Sequence, residues 1–444
     1  MRIKLPDHVR WIIEKLENAG YEAFAVGGCV RDSLLGRNPS DWDITTSAKP
    51  MEMKAVFYRT VDTGLQHGTV TVLVDKTGYE VTTYRVDGEY EDARHPKEVT
   101  FTGSLEEDLK RRDFTINAMA YNEKTGLVDL YGGMKDIQLR IIRCVGNPTE
   151  RFTEDALRIM RAIRFSAQLG YEIEPDTKAA ITDLAQNLRY ISEERIQAEL
   201  QKLILSPNPQ FLRTAYETGI TREFLPEFDR CMETMQNTPH HCYTVGEHIL
   251  KGMQLVEPDK ILRFTMLLHD IAKPLAKTTD ENGRDHFQGH AAMGEELARS
   301  IMRRLKMDNE TIRKVSLLIR YHDERPEGNQ KSVRRAVNKI GEELFPYYLQ
   351  VQQADMLAQS TYKREAKQDR LNRVITAYQE IMDSRQCVSL KTLAVTGKDL
   401  IDYGMKPGKE IGAALQHLLD VVLENPALNR KEELLAMLPD MQIS

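Results

Sequence analysis

The sequence reads Val26-Gly27-Gly28-Cys29-Val30-Arg31-Asp32 near its start and Asp41-Trp42-Asp43-Ile44 shortly afterwards. In the first run, paired glycines follow an apolar strand and open a helix, where the backbone can approach a triphosphate and free N–H groups can bind it. In the second run, strand alternation places Asp41 and Asp43 on one face. Adjacent carboxylates repel each other unless a cation lies between them, so the pair predicts a Mg²⁺ site. A plain turn and a solvated loop are the alternatives for each run taken alone.

The regions around these runs differ in their hydrophobic periodicity. An amphipathic helix opens the chain and ends near Gly20, and short strand-like runs follow it at Ala23 to Val26, Trp42 to Thr45, Thr69 to Val74 and Glu80 to Arg85. From about Thr153 the pattern is helical nearly to the end. We therefore predict the α+β class: a small head with a mixed sheet and helices, followed by a long all-α body.

The composition limits the class of protein. The 444 residues are 41% hydrophobic, which is enough for two or more cores. The net charge of −6 excludes a uniformly basic surface, but the 61 Lys and Arg residues can still cluster on one face for RNA. The 5 cysteines form no CxxC pair, which disfavours a disulfide framework or a zinc knuckle. Without a signal peptide or a long apolar run, the sequence predicts a cytoplasmic protein with no membrane span.

Two further motifs follow the acidic pair. They read Arg111-Arg112-Asp113-Phe114-Thr115-Ile116-Asn117 and Asp129-Leu130-Tyr131-Gly132-Gly133. With the opening runs, they resemble the nucleotidyltransferase head of the class II tRNA CCA-adding and bacterial poly(A) polymerase family. The resemblance implies Asp41 and Asp43 as catalytic metal ligands, with Glu80 as a third acidic residue. It also implies nucleotide binding by Gly28, Arg31, Arg112, Asp113 and Asn117, where arginines suit the triphosphate and Asp113 with Asn117 suit the ribose.

The segment from Thr153 to Arg161 matches the family's nucleotide-selecting motif, E-D-x-x-R-x-x-R. We expect Thr153 to cap a helix on which Asp155 and Arg158 are neighbours, so that the pair can contact the Watson–Crick edge of a base. Arg161 is the second arginine of the motif and a further nucleotide-binding residue. The alternative is an ordinary surface salt bridge between Asp155 and Arg158. A later run, Glu194 to Leu200, resembles a family motif that braces these helices.

Most of the 11 histidines lie in one helical region. The run Leu267-Leu268-His269-Asp270-Ile271-Ala272-Lys273-Pro274 resembles the signature of the HD metal-dependent phosphohydrolase superfamily. The resemblance implies a metal site formed by His248, His269, Asp270, His290, His322 and Asp355. Imidazole and carboxylate ligands suit Mn²⁺, Fe²⁺, Ni²⁺ or Zn²⁺, and Mg²⁺ is the remaining candidate. The alternative is a metal-free helical spacer; we expect His240, His241 and His286 to be ordinary residues, and Asp323 to orient a metal-bound imidazole.

The combined resemblance implies a domain order and a set of partners. We predict a catalytic head at 1–150, a neck at 151–235, an HD domain at 236–360 and a tRNA-binding body and tail at 361–444. The expected activity is addition of CMP, CMP and AMP, from CTP and ATP, to the tRNA acceptor arm, with Mg²⁺ in the head. No DNA partner is expected, and the protein is predicted to be a monomer or a homodimer. Some of the basic helical residues should contact tRNA phosphates: Arg303, Arg304, Lys306, Lys331, Arg334, Arg335, Lys339, Lys363, Arg364, Lys367 and Arg370.

Three other functions fit parts of the sequence. A poly(A) polymerase, or an enzyme adding only CC or only A, would share these motifs. The stretch between Asp87 and Ser104 favours complete CCA addition, because CC-adding relatives lack that loop. An HD hydrolase with a nucleotide-binding head, or an RNA-binding protein with an inactive head, is disfavoured because the acidic pair and both arginine motifs are intact.

Overall fold

A computed structural model describes residues 2–87 and 99–438. It divides into two compact units, Met1–Pro226 and Glu227–Ser444, which we call the N-terminal and C-terminal units. The four-domain division remains a prediction. The central part of the predicted loop between Asp87 and Ser104 lies outside the described residues.

The N-terminal unit contains eleven strands and eleven α-helices within its described part. The strands are β1 (Ala23–Val26), β2 (Ile44–Thr46), β3 (Thr60–Gly64), β4 (Thr69–Val74), β5 (Thr77–Thr83), β6 (Arg85–Asp87), β7 (Val99–Phe101), β8 (Met119–Asn122), β9 (Gly126–Asp129), β10 (Ile141–Ile142) and β11 (Glu172–Ile173). The helices are α1 (Asp7–Asn18), α2 (Gly28–Leu34), α3 (Pro50–Val56), α4 (Leu105–Lys110), α5 (Gly133–Leu139), α6 (Pro148–Glu154), α7 (Leu157–Leu169), α8 (Pro175–Leu184), α9 (Glu193–Ile204), α10 (Leu212–Glu217) and α11 (Thr221–Phe224).

The head is built on a seven-stranded sheet in the order β3-β4-β5-β2-β1-β8-β9. Strands β2 and β5 are parallel and the other neighbours are antiparallel, so the sheet is mixed as predicted. Strand β1 is buried on both faces: Ala23 and Ala25 join the larger core with α1, whereas Phe24 and Val26 join a second cluster. This central strand carries the chain directly into the Gly27-Gly28 turn.

The predicted elements of the head are largely correct, with shifted ends. The first helix ends at Asn18 and Gly20 adopts a positive φ, as expected for a helix C-terminus. The predicted strand beginning at Trp42 begins at Ile44 instead, and the predicted strand from Glu80 to Arg85 is divided between β5 and β6.

The C-terminal unit is almost entirely helical. Its helices are α12 (Pro226–Glu233), α13 (Val245–Gln254), α14 (Lys260–Leu268), α15 (Lys273–Ala276), α16 (His290–Arg304), α17 (Asn309–Tyr321), α18 (Gln330–Ile340), α19 (Phe345–Ala358), α20 (Arg364–Asp383), α21 (Gly397–Asp402), α22 (Lys409–Glu424) and α23 (Lys431–Ala436). A short hairpin of β12 (Thr278–Thr279) and β13 (Asp285–His286) interrupts them.

Two hydrophobic clusters fill much of this unit. One contains residues of α17 to α20, from Leu318 to Ile381, and the second holds the tail together from Cys387 to Leu438. Helix α20 therefore packs with α18 and α19, although the predicted domain boundary lies just before it, at 360. Among the described residues, none of the helices combines the length and apolarity needed to span a membrane.

Candidate functional sites

The acidic pair lies at the entrance to β2, in extended backbone next to β1. The carbonyl of Asp43 accepts a hydrogen bond from the Val26 amide at 3.0 Å, so the pair is fixed to the strand that leads into the glycine turn. Both aspartates are exposed. Desolvation by the surrounding protein raises the pKa of Asp43; Arg112 opposes this shift and the charge of Asp41 adds to it. The negative charges of the two carboxylates repel each other, and a bound cation would stabilise the state in which both are ionised.

Glu80 lies on the strand next to this pair. The parallel register sets Ile44 beside Val81, so the residues one position earlier, Asp43 and Glu80, are neighbours at the same edge. Glu80 is exposed. Its position is consistent with a third acidic residue at a cation site.

The glycine turn makes room for Arg112. Gly27 has φ +82°, which favours glycine, and a Cβ atom added there would lie 3.2 Å from Nη1 of Arg112. Added at Gly28, a Cβ would meet Nη2 of Arg31 at 3.7 Å. The fold thus brings the glycine pair, Arg31 and Arg112 together, as the sequence predicted for a triphosphate site.

A chain of polar contacts links the predicted nucleotide-binding residues. Nη1 of Arg31 donates to Oδ1 of Asn117 at 2.6 Å, and Nδ2 of Asn117 donates to Oδ1 of Asp113 at 3.0 Å. Arg161 then donates to Oδ2 of Asp113 through two nitrogens, at 2.8 and 2.6 Å. Burial alone would raise the pKa of Asp113, but Arg161 and Asn117 hold it well below its usual value. Asp113 and Asn117 therefore position two arginines, in addition to any contact with ribose.

Asp108 is a functional candidate that the sequence did not reveal. Its side chain is fully buried and accepts from Arg111 at 3.0 and 2.7 Å, from Arg112 at 3.2 Å and from Oγ1 of Thr45 at 3.2 Å. Burial would raise its pKa, but Arg112 and Arg111 lower it. Because Thr45 is on β2, Asp108 connects the strand of the acidic pair to the paired arginines. The only signal was an Asp one helical turn before two arginines, a common surface pattern.

The predicted nucleotide-selecting helix is interrupted. Thr153 lies inside α6 rather than at a helix start, and Asp155 occupies the break before α7. Oδ1 of Asp155 accepts from the Leu157 amide at 3.0 Å, which satisfies a free N–H at the start of α7, and Oδ2 accepts from Nη2 of Arg195 at 3.1 Å. The expected cap at Thr153 is thus wrong, because Thr153 lies within α6 and α7 begins only after Asp155 and Ala156.

Arg158 is not paired with Asp155 in this structure. Its Nη1 donates to Oε2 of Glu154 at 2.6 Å and to the Arg151 carbonyl at 3.1 Å, and its Nη2 donates to the Arg111 carbonyl at 3.0 Å. The partners of Arg158 thus include Glu154 and two backbone carbonyls. Their predicted role in base selection remains untested by this geometry. Of the bracing residues, Arg195 holds Asp155 and Glu199 holds Arg164 at 2.5 Å.

In the C-terminal unit, the predicted metal-binding residues converge around Asp270. Oδ2 of Asp270 lies 3.4 Å from Nε2 of His248 and 3.3 Å from Nε2 of His269, whereas Oδ1 lies 3.5 Å from Nε2 of His290 and 3.6 Å from Nε2 of His322. Asp355 joins the first group, with Oδ1 3.1 Å from Nε2 of His248. Asp270 therefore connects two ligand groups, each compact enough to hold a cation.

The hydrogen bonds of these imidazoles orient Nε2 toward the centre. Nδ1 of His269, His290 and His322 contacts backbone carbonyls at 2.9, 2.8 and 2.7 Å, and only a protonated Nδ1 can donate there. In the neutral rings, Nε2 is then an acceptor, yet Nε2 of His290 faces Nε2 of His322 at 3.2 Å. Facing lone pairs in a buried site fit a cation between them, and carbonyls that fix the tautomer are typical of metal ligands. The expected orienting role of Asp323 is wrong: it is exposed and pairs with Arg325 at 3.3 Å.

A cavity of about 790 Å³ opens onto this centre. Its lining includes cations that the sequence did not assign to the site: Lys273, Arg284, Arg325, Lys367 and Arg370. Lys273 contacts Oδ2 of Asp270 at 2.7 Å, and Arg325 contacts Oδ2 of Asp355 at 3.0 Å. The histidines expected to be ordinary, His240, His241 and His286, also line the cavity. Burial lowers the pKa of His241 to about 3, with Lys273 adding to the shift.

Comparison with known proteins identifies the family. Three family models match: the poly A polymerase head domain at residues 23–143, the probable RNA and SrmB-binding site of polymerase A at 170–232, and the putative tRNA nucleotidyltransferase domain 2 at 287–438. The CCA-adding enzyme of Levilactobacillus brevis is 36% identical over 431 residues, which cover 97% of both chains. The chain belongs to the family of CCA-adding enzymes. It is therefore a nucleotidyltransferase, as predicted, and the full-length match favours CCA addition over poly(A) synthesis.

Other relatives agree with this assignment. The CCA-adding enzyme of Lacticaseibacillus paracasei is 58% identical over 193 residues, 44% of this chain and 48% of that protein. The crystal structure of the Bacillus stearothermophilus CCA-adding enzyme in complex with CTP is 31% identical, covers 99% of this chain and 98% of its own, and has a TM-score of 0.73. The predicted α+β fold class is thereby confirmed. The embedded HD domain and the individual site residues remain predictions.

Several basic residues predicted to contact RNA have internal partners instead. Arg334 is buried and donates to the carbonyls of Leu423 and Glu424, and Arg304 pairs with Glu227 at 2.8 Å. Lys339 pairs with Glu324 at 2.9 Å. The buried Arg334 is therefore unsuited to a phosphate contact.

Proposed function

We propose that the head of this protein adds CMP, CMP and AMP, from CTP and ATP, to the 3′ end of tRNA, with Asp41 and Asp43 as the catalytic carboxylates. The observation that carries this assignment is their position at the entrance to β2, fixed to the strand that leads into the Gly27-Gly28 turn beside Arg112. Family membership supports the reaction, and the CTP complex of the Bacillus stearothermophilus relative supports the nucleotide.

In this reaction the terminal 3′ oxygen of the RNA forms a bond to the α-phosphorus. The bond from that phosphorus to the bridging oxygen of the β-phosphate breaks, pyrophosphate leaves, and the hydroxyl proton is released to water. Asp41 and Asp43, with Glu80 beside them, would hold divalent cations, for which Mg²⁺ is the best candidate. When bound, such cations neutralise the triphosphate and acidify the attacking hydroxyl. Arg112 and Arg31 hold the phosphates from the glycine side.

The base would be selected by Asp155 and Arg158. Together they offer acceptors and donors that match the edges of cytosine and adenine, whereas uracil, with a donor at N3, fits badly. In the structure without nucleotide, Arg158 donates to Glu154 and two carbonyls, and Asp155 accepts from Arg195. A base that binds Asp155 and Arg158 therefore replaces the hydrogen bonds that these two residues make without nucleotide. A base that leaves one of these donors or acceptors without a partner binds with a loss of free energy.

The test is incorporation of labelled CTP and ATP into tRNA that lacks its 3′ CCA. We expect wild-type protein to add both nucleotides in order with Mg²⁺, and Asp41→Asn to add neither. The surface variant Lys76→Gln, at the β4–β5 turn, is a matched control that should retain activity. Normal addition by Asp41→Asn would overturn the assignment of the catalytic pair.

A second function is carried by the histidine–aspartate centre in the C-terminal unit. We infer that it hydrolyses a phosphomonoester or a 2′,3′-cyclic phosphate, because Asp270 connects two ligand groups beneath an open cationic cavity. His248, His269 and Asp355 would complete one site, and His290 with His322 the other. When bound, Mn²⁺, Fe²⁺, Ni²⁺, Zn²⁺ or Mg²⁺ would supply water activation. Lys273 contacts Asp270 and Arg325 contacts Asp355, and these ion pairs orient the two carboxylates.

The chemistry balances as a hydrolysis. The oxygen of water forms a bond to phosphorus, one phosphorus–oxygen ester bond breaks, and the released oxygen takes a proton to become the alcohol. Incubation with a nucleoside 2′,3′-cyclic phosphate and each metal in turn tests this activity. Hydrolysis that survives His290→Ala would place it elsewhere.

A further inference from the structure

The cavity above the histidine–aspartate centre has a second group of cations on α20. Lys367 and Arg370 are three residues apart and therefore lie on one face of that helix. Both side chains line the cavity and both are half-buried. The predicted metal ligand nearest to them in sequence is Asp355, which lies on the preceding helix, α19. We call this pair the α20 cation pair.

The α20 cation pair lacks the carboxylate partners that the other cavity cations have. Lys273 is paired with Asp270, and Arg325 with Asp355. Lys367 donates instead to the neutral Oε1 of Gln359 at 2.7 Å. The side chain of Arg370 makes no hydrogen bond or ion pair with any residue in the described part of the chain. Two partly desolvated positive charges therefore face the same cavity, and neither forms an ion pair with a carboxylate among the described residues.

The electrostatic environment of the α20 cation pair also favours the binding of an anion. Burial lowers the pKa of Arg370. The positive charges of Arg325 and Arg373 add to this shift, whereas Tyr348 and Asp323 oppose it. Burial is also the main cause of the lowered pKa of Lys367, which Asp355 opposes and Arg325 and Arg370 increase. Mutual repulsion among cations costs free energy in the empty cavity and is relieved when an anion binds between them.

The pair lies one side chain away from the predicted metal site. Nε2 of Gln359 donates to both oxygens of Asp355 at 3.1 Å, and Oε1 of the same amide accepts from Lys367. An anion held by Lys367 and Arg370 would thus be adjacent to a phosphate at the metal site but separate from it. A single phosphate at the centre would leave these two cations unused.

We propose that the α20 cation pair binds a second phosphate of the substrate, next to the phosphate that reacts. The substrate class is then a nucleotide or an oligonucleotide end that carries two neighbouring phosphate groups. This inference rests on the hydrolase activity proposed above. The second phosphate has two possible sources: the preceding phosphodiester of an RNA strand, or the 5′-phosphate of a free nucleotide.

Steady-state hydrolysis of three substrates tests the proposal. The first is a nucleoside 2′,3′-cyclic phosphate, the second is its 5′-phosphorylated form, and the third is a dinucleotide ending in the same cyclic phosphate. We expect KM to be about tenfold lower for at least one substrate with a second phosphate, with kcat similar. A gain for the dinucleotide alone identifies an RNA end, and a gain for the 5′-phosphorylated nucleotide identifies a free nucleotide.

Variants assign the gain to the pair. Lys367→Gln and Arg370→Gln should each remove most of the KM advantage while leaving KM for the first substrate unchanged. Arg385→Gln is the control, because Arg385 is an exposed cation just beyond the end of α20 that does not line this cavity. Equal KM values for all three substrates, or equal loss in the control, would overturn the proposal.

Equilibrium binding separates this inference from the hydrolase itself. In protein treated with chelator, a nucleoside 3′,5′-bisphosphate should bind about tenfold more tightly than the 3′-monophosphate, and the difference should disappear in Arg370→Gln. If no substrate is hydrolysed but this difference is found, the hydrolase proposal fails and the phosphate site stands. If hydrolysis occurs and the difference is absent from both assays, the phosphate site fails.

Discussion

The ionised side chain of Asp43 serves the proposed metal site but lowers the stability of the folded protein. Desolvation raises its pKa, so the ionised form is disfavoured in the folded protein, and stability contributed by this group is gained only as pH falls. We therefore expect Asp43→Asn to abolish nucleotide addition while leaving the melting temperature at pH 7 unchanged or slightly higher. Thermal unfolding and incorporation assays on the same preparation check both outcomes. A marked fall in the melting temperature would mean that Asp43 is mainly structural.

Replacing Asp108 should lower the stability of the protein, unlike replacing Asp43. It is fully buried and holds Arg111, Arg112 and Thr45, so Asp108→Asn leaves two guanidinium groups without their carboxylate. We expect a loss of about 3 kcal/mol in the free energy of unfolding at pH 7. Because its pKa is lowered in the folded state, this contribution is present above the ordinary value of 3.8 and is lost as pH falls below it.

Kinetics distinguish a positioning role of Asp108 from a purely structural one. Misplacement of Arg112 should raise KM for CTP and ATP by a similar factor, because both nucleotides carry the same triphosphate. Asp108→Glu should recover part of this loss. If Asp108→Asn is destabilised but keeps normal KM values for both nucleotides, Asp108 supports the fold alone.

At the level of single residues, sequence could identify side chains with conspicuous chemistry but not their partners. Asp41, Asp43 and the converging HD residues were predicted because their types and order are distinctive. Asp108 was not singled out, and Arg370 was only one of many candidate contacts to tRNA, because an acidic or basic residue on a helix is usually solvated. Their roles depend on which strand or cavity the helix faces, and that is set by tertiary packing.

The break between α6 and α7 is the element that presents Asp155 and Arg158. Oδ1 of Asp155 accepts a hydrogen bond from the Leu157 amide at the start of α7, and Arg195 from α9 contacts its other oxygen. Arg195→Gln removes the ion pair that holds Asp155 in place. We therefore expect this variant to incorporate more UTP relative to CTP, with little change in KM for CTP. Arg158→Leu should lower use of CTP and ATP as well as relaxing selectivity. Competition between labelled nucleotides measures both effects, and unchanged selectivity in Arg195→Gln would exclude a positioning role for Arg195.

The same break explains an error in the sequence-based prediction of this element. Thr153 with acidic residues after it is typical of a helix N-cap, and local propensity gave no reason to end a helix at Glu154. The salt bridge that Arg195 on α9 makes to Asp155 joins residues 40 positions apart in sequence, so local propensity could not reveal it. Strands of the head were easier to predict because alternation and turn residues are local signals.

At the scale of the whole molecule, each compact unit holds one candidate centre with its ligands entirely inside it. The acidic pair and its arginines lie within Met1–Pro226, and the histidine–aspartate residues lie within Glu227–Ser444. Sequence predicted this separation, since the two motif sets do not overlap along the chain. It could not predict that α20 supplies cations to the second centre, because that requires a helix beyond the predicted domain end to return to the cavity.

Separate centres should be separable by mutation, which gives the last prediction. His269→Ala combined with Asp270→Ala removes a ligand of one group and the carboxylate that both groups share. We expect this variant to lose bound transition metal and phosphoester hydrolysis while adding CCA normally, and Asp41→Asn to show the reverse. Elemental analysis of protein purified without chelator measures the metal directly.

Thermal unfolding tests the same metal site without an activity assay. Without a cation, Nε2 atoms of buried imidazoles face one another at 3.2 Å without compensation, so metal binding to the native state should stabilise the C-terminal unit. Chelator should therefore lower the melting temperature of the wild type, and readdition of Mn²⁺ or Ni²⁺ should restore it. The double variant should respond to neither treatment. Metal content or a chelator response that is unchanged in the double variant would contradict the centre, because no other group of described residues offers this combination of buried imidazoles and a shared carboxylate.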